Sequence, residues 1–112
     1  MRTAIAIAAA VFLLGAAAPS GAQAQKAASV TVSVKNHRFQ PKELHAPANV
    51  PIAIHVKNLD SSRMEFESVA LRVEKVIGAN GEAVINIRPL SPGRYEFFDD
   101  FNQDADGVLV VR

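Results

Sequence analysis

Four aspartates, Asp99, Asp100, Asp104 and Asp106, fall within eight positions near the C-terminal end of the chain. Carboxylates so close repel one another unless water, salt or a cation offsets their charge. A second acidic pair lies further upstream in Met64-Glu65-Phe66-Glu67-Ser68. Glu65 and Glu67 are two residues apart, so in a strand both side chains leave the same face, about 7 Å apart, while Phe66 turns into the core. If the two segments meet, Met64, Glu65, Glu67, Asp99, Asp100 and Asp104 form one candidate metal site. Carboxylate oxygens suit iron or manganese, whereas the Met64 thioether would bias the site toward copper. The expected cargo is an iron or copper ion, with oxygen-rich iron binding favoured.

Each of these residues also has a plainer reading. Glu65 and Glu67 could be a solvated strand face paired with Arg63 or Arg72, and Met64 could be a core cap. Asp104-Ala105-Asp106-Gly107 has the composition of a turn with Asx hydrogen bonding. His37, His45 and His55 are spaced by eight and ten positions, which gives no helical or hairpin metal-ligand pattern. The chain has no cysteine, which removes thiolate chemistry, Cys-ligated zinc and disulfides together. No G-x-S-x-G, H-E-x-x-H or phosphate loop is present, so no catalytic or cofactor-binding residues and no independent enzyme are expected.

The elements that must position these side chains are strands. Val30, Val32 and Val34 alternate with Thr31, Ser33 and Lys35, and Val50, Ile52, Ile54 and Val56 alternate with Pro51, Ala53, His55 and Lys57. Pro51 marks a sheet edge or a strand start, because proline lacks the ladder donor. Further strands are expected at Met64 to Ser68, Arg72 to Ile77, Ala83 to Ile87, Gly93 to Phe101 and Val108 to Val111. Turns are expected at Asn36-His37-Arg38, Asn58 to Ser62 and Gly78 to Gly81. Seven or so short strands without helical periodicity predict an all-β fold, an antiparallel Greek-key β-sandwich.

Ahead of these strands, Met1-Arg2 and the apolar run Ala4 to Ala18 read as a secretory signal closing on Ala22-Gln23-Ala24. The expected organisation is a signal peptide over 1–24, a tether over 25–29 and one domain over 30–112. Periplasmic export follows, with no membrane span in the mature chain. The chain carries 12 Lys and Arg against 11 Asp and Glu. Without Arg2 the balance is neutral, which leaves no electrostatic footprint for nucleic acid.

Several blocks resemble a cupredoxin. They are Phe39-Gln40-Pro41, the strand ending Val56-Lys57-Asn58, Met64-Glu65-Phe66, the closing Pro92-Gly93-Arg94-Tyr95-Glu96-Phe97, and Gly107 to Val111. The resemblance implies the cupredoxin-like sandwich. It sets Met64, Asp99, Asn102 and Ala105 where the blue-copper His, Cys, His and Met ligands stand, so a type 1 copper site is excluded. The run Glu65 to Ser68, the run Leu71 to Val76, and Phe97-Phe98-Asp99-Asp100-Phe101 are similar to the cysteine-less cupredoxin-like domains of the EfeO type. Asn102 replaces a His often found in that group. This narrower resemblance implies a periplasmic protein of a ferrous-iron uptake system, binding iron or copper and partnering an iron permease or another periplasmic uptake component, with an accessory part in iron oxidation open. The alternative is a metal-free sandwich that docks on an uptake component through its acidic end.

Overall fold

The computed structural model describes residues 26–112, and the expected signal peptide lies outside them. Nine strands follow one another: β1 (Ala28–Lys35), β2 (Arg38–Gln40), β3 (Glu43–Ala46), β4 (Ile52–Asn58), β5 (Met64–Ser68), β6 (Val73–Ile77), β7 (Glu82–Ile87), β8 (Gly93–Asp99) and β9 (Asn102–Val111). Ala28 and Ser29, expected in the tether, already belong to β1. No helix among the described residues is long and apolar enough to cross a membrane.

The strands form the expected sandwich, with the order β2-β1-β4-β7 in one sheet and β3-β9-β8-β5-β6 in the other. The pairing is mixed rather than purely antiparallel, because β1 runs parallel to β4 and β3 parallel to β9. Parallel neighbours need a crossover of a dozen or more residues. The excursion from β1 through β2 and β3 to the other sheet provides one. Pro51 stands just before β4, and its carbonyl accepts the Ala28 N–H at 2.8 Å.

Alternation decides which side chains enter the core. Val32 and Val34 of β1, Ile52, Ile54 and Val56 of β4, and Ile85 and Ile87 of β7 face inward from one sheet. Leu44, Met64, Phe66, Phe97, Leu109 and Val111 meet them from the other. Three phenylalanines join the layers. Phe66 and Phe97 stack with centroids 4.9 Å apart, and Phe39 from the opposite sheet meets Phe97 edge-on, also at 4.9 Å. Edge and offset packing of this kind is favoured by the ring quadrupole.

Two local features fix the end of the sandwich that carries the acidic residues. Asn36 and His37, with φ of 53° and 57°, form the two-residue turn between β1 and β2. Positive φ at both positions is the geometry that matches hairpin twist. Asp60 accepts both of their N–H groups, at 2.6 and 2.9 Å. Asn58, fully buried, donates to the carbonyls of Ser62, Ile77 and Gly78 and accepts the Asp60 N–H. One side chain thereby ties the connection before β5 to the turn after β6.

The acidic stretch left between the strands expected at Gly93 to Phe101 and Val108 to Val111 is itself strand. Only Asp100 and Phe101 turn, and β9 begins at Asn102. The expected Asx turn at Asp104 to Gly107 is therefore extended chain, with Ala105 and Gly107 facing in and Asp104 and Asp106 facing out. Small inward residues make this possible. A Cβ on Gly107 would lie 2.5 Å from the Phe97 ring and 2.8 Å from the Lys42 carbonyl oxygen.

Candidate metal centre

Strand β5 alternates cleanly: Met64, Phe66 and Ser68 are buried, and Glu65 and Glu67 are half-buried on the outer face. Strand β8 lies beside it, with Phe66 opposite Asp99 and Glu67 opposite Phe98. The ladder continues past the end of β8, since Asp100 donates its N–H to the Glu65 carbonyl at 3.0 Å. Asp99 points inward, so its successor Asp100 turns outward beside Glu65.

As a result, carboxylate oxygens of Glu65, Glu67 and Asp100 lie within 4.8 Å of one another. This is the sole grouping of three or more potential His, Cys, Asp or Glu ligands among the described residues. Met64 and Asp99 lie beneath it, on the core side of the sheet. Met64 is 2% exposed and packs in the core, which is the cap role noted as its plainer reading. Asp104 does not join the group. It sits on β9 beside a separate hollow lined by Arg38, Phe39, Lys42 and Asp106, because the ladder slips between Phe98 and Asp99 and displaces the start of β9. Such bulges re-aim side chains at sheet rims.

Asp99 shapes the site from below. Its Oδ1 accepts two backbone N–H groups, from Glu65 at 2.9 Å and from Phe101 at 3.0 Å. Its Oδ2 is buried and has no hydrogen-bond partner. Ser68 fixes the other end of β5 by donating to the Glu96 carbonyl at 2.6 Å and accepting the Leu71 N–H at 3.1 Å. On the rim, Asp100 accepts from Gln103 at 3.0 Å. The Arg63 guanidinium, one of the expected partners of the glutamates, instead lies 4.8 Å above the Phe101 ring centre.

The electrostatics of the group are those of crowded anions. Glu67 is pushed up to about 7, chiefly because the Glu74 carboxyl can share its proton, and further by desolvation and by Asp100. Glu65 is raised by desolvation first, then by Asp100, Glu74 and Asp99. Glu74, which faces Glu67 across the β5–β6 ladder, did not enter the sequence-derived set. The signal that could have found it is the hairpin itself, since a turn over 69–72 sets residues 67 and 74 opposite each other. None of the three histidines enters the group. His37 faces Asp60 at 3.8 Å, His45 faces Glu43 at 3.9 Å, and His55 lies on the other sheet.

These donors decide which metals fit. A thiolate copper centre does not, because there is no cysteine and the aligned positions offer one thioether, one carboxylate, an amide and a methyl group. Clustered carboxylates with raised proton affinity fit a hard or borderline cation, which would replace the shared proton.

A sequence model of the "Cupredoxin-like domain" family matches residues 3–111. An uncharacterized protein of Rickettsia prowazekii (strain Madrid E) is 37% identical over 83 residues, covering 73% of this chain and 66% of the relative, slightly under two thirds of that protein's length. Among solved structures, the metal binding domain of the Streptococcus pneumoniae D39 Cu(I) exporting P-type ATPase CopA, with Cu(I), superposes with a TM-score of 0.68. It is 20% identical, and 75% of this chain and 84% of that one are covered. Reduced auracyanin from Roseiflexus castenholzii gives a TM-score of 0.66 at 15% identity, with 79% and 99% covered. A purple cupredoxin from Nitrosopumilus maritimus gives 0.57 at 15% identity, with 74% and 99% covered. At these identities the structures share the fold with this chain.

Proposed function

The chain belongs to the cupredoxin-like domain family, and we propose that it is an exported metal-binding member of the EfeO type that holds iron or copper for a periplasmic ferrous-iron uptake system. The observation that carries this reading is the convergence of Glu65, Glu67 and Asp100 within 4.8 Å, with Glu74 opposite Glu67. Carboxylates held this close favour a cation over their own mutual repulsion. The oxygen-only donor set favours iron, and the Cu(I)-bound domain among the structural neighbours keeps copper as the second candidate. The outward-facing rim lets cargo be received from, and passed to, an iron permease or another uptake component.

Calorimetric titration with Fe²⁺, Fe³⁺ and Cu²⁺ tests the reading. Saturable one-to-one binding, lost together in Glu67→Gln and Asp100→Asn, is the expected result. Absence of saturable heat with all three ions overturns it and leaves the alternative, a metal-free sandwich that docks on an uptake component through its acidic end.

A further inference from the structure

The two sheets have four edges, and three of them are guarded. Strand β2 is three residues long and β3 is four, the latter bracketed by Pro41 and Pro47. Strand β6 places Lys75 opposite the core residue Phe66, so a charged side chain sits on the inward face of that edge. Short strands, prolines and inward-pointing lysines are the devices that stop a sheet edge from pairing with another chain.

Strand β7 is the least guarded: Pro89 lies two residues past its end, but none of these devices lies within the strand. It runs six residues without proline, turns Ala83, Ile85 and Ile87 inward, and shows Glu82, Val84 and Asn86 outward. Val84 is 53% exposed. The Asn58 N–H donates to the Gly81 carbonyl at 2.8 Å, in register with the β4–β7 ladder. In an antiparallel pair the N–H and C=O of one residue point the same way and alternate along the strand. Residues 81, 83, 85 and 87 therefore bond β4, and Glu82, Val84 and Asn86 aim their backbone groups at the open edge. Among the described residues no turn or loop backbone hydrogen bond reaches β7.

The charges at the two ends of this strand are complementary under a two-fold axis. With the axis beside Ile85, Val84 of one copy faces Asn86 of the other, and Glu82 faces Arg88. Both charged residues are exposed and neither forms an ion pair among the described residues, although Lys57 stands opposite Glu82 across the β4–β7 pairing. The parity is correct as well, since Glu82, Val84 and Asn86 present their backbone groups outward and Arg88, one residue past the end of β7, falls next in the same alternation. We propose that β7 is a self-association edge, along which a second copy of this chain adds antiparallel to form one continuous eight-stranded sheet. The association is independent of the acidic rim on the other sheet.

The test is sedimentation equilibrium of the intact chain across a wide concentration range, because an interface of one strand per copy is small and self-association through it is weak. The wild type is expected to show a monomer–dimer equilibrium. Glu82→Arg and Arg88→Glu each set like charges opposite one another and should weaken it at least about tenfold. An equimolar mixture of the two variants should restore it as a heterodimer, since each charge again meets its opposite. Val84→Pro removes an outward N–H without touching the β4 ladder, and should give a folded monomer by circular dichroism. A wild type that stays monomeric throughout, or a dimer indifferent to these changes, overturns the proposal.

Discussion

Asp99 accepts the Glu65 N–H at 2.9 Å, and this bond joins residues thirty-four positions apart at the point where the acidic rim is assembled. The same oxygen accepts the Phe101 N–H at 3.0 Å. One buried carboxylate thus sets both the start of β5 and the turn that carries Asp100. Asp99→Ala leaves two backbone donors without their acceptor, at a cost of about 2–4 kcal/mol. Urea denaturation should register that loss, and calorimetry a parallel loss of metal affinity, whereas Asp99→Asn retains an acceptor and should cost about half as much.

Stability without metal should fall as pH rises toward neutrality. Glu67 is raised from 4.5 to about 7 in the folded chain, so between those values the native state holds more protons than the unfolded one. Stability gained below pH 4.5 is then lost as pH climbs through 7. Glu65 shifts in the same direction. Thermal melts of metal-free protein from pH 4.5 to 8 should show a declining Tm. Glu67→Gln should flatten the decline, and saturating cation should reverse it. A flat wild-type profile would refute the crowding described for this rim.

Asp60 behaves in the opposite sense. Burial acts to raise it, but hydrogen bonds from the His37 and Asn36 backbone outweigh burial and hold it below 3.8. Its contribution is present above that value and disappears as pH falls through its lower folded pKa. Asp60→Ala uncaps the β1–β2 turn and should cost about 1–3 kcal/mol at neutral pH. The difference from wild type should shrink in acid, as measured by denaturant midpoints at pH 7 and pH 2.5.

Gly107→Ala tests the packing under β9. The added methyl would meet the Phe97 ring at 2.5 Å and the Lys42 carbonyl at 2.8 Å, the first a fully buried side chain and the second backbone. Overpacking of this kind costs about 1–3 kcal/mol. Near-ultraviolet circular dichroism should also change, because the displaced ring stacks on Phe66 and meets the edge of Phe39.

Most of the strands, the faces they turn to the core and the excluded chemistry are legible in residue order alone, whereas β2, β3 and the first half of β9 are not. Alternation is local, so it could send Phe66 inward and Glu65 and Glu67 outward without knowledge of any neighbour, and a chain without cysteine cannot build a thiolate copper centre. Tertiary structure decided which acids meet. Asp100 stands beside Glu65 because of a ladder bond across thirty-five positions, and Glu74 faces Glu67 because of hairpin register. Asp104 is carried away by a slip in the β8–β9 pairing that Ala105 and Gly107 permit. The parallel pairs β1–β4 and β3–β9 were hidden for the same reason: register and direction between distant strands are set by whole-sheet packing, and no window of neighbouring residues encodes them.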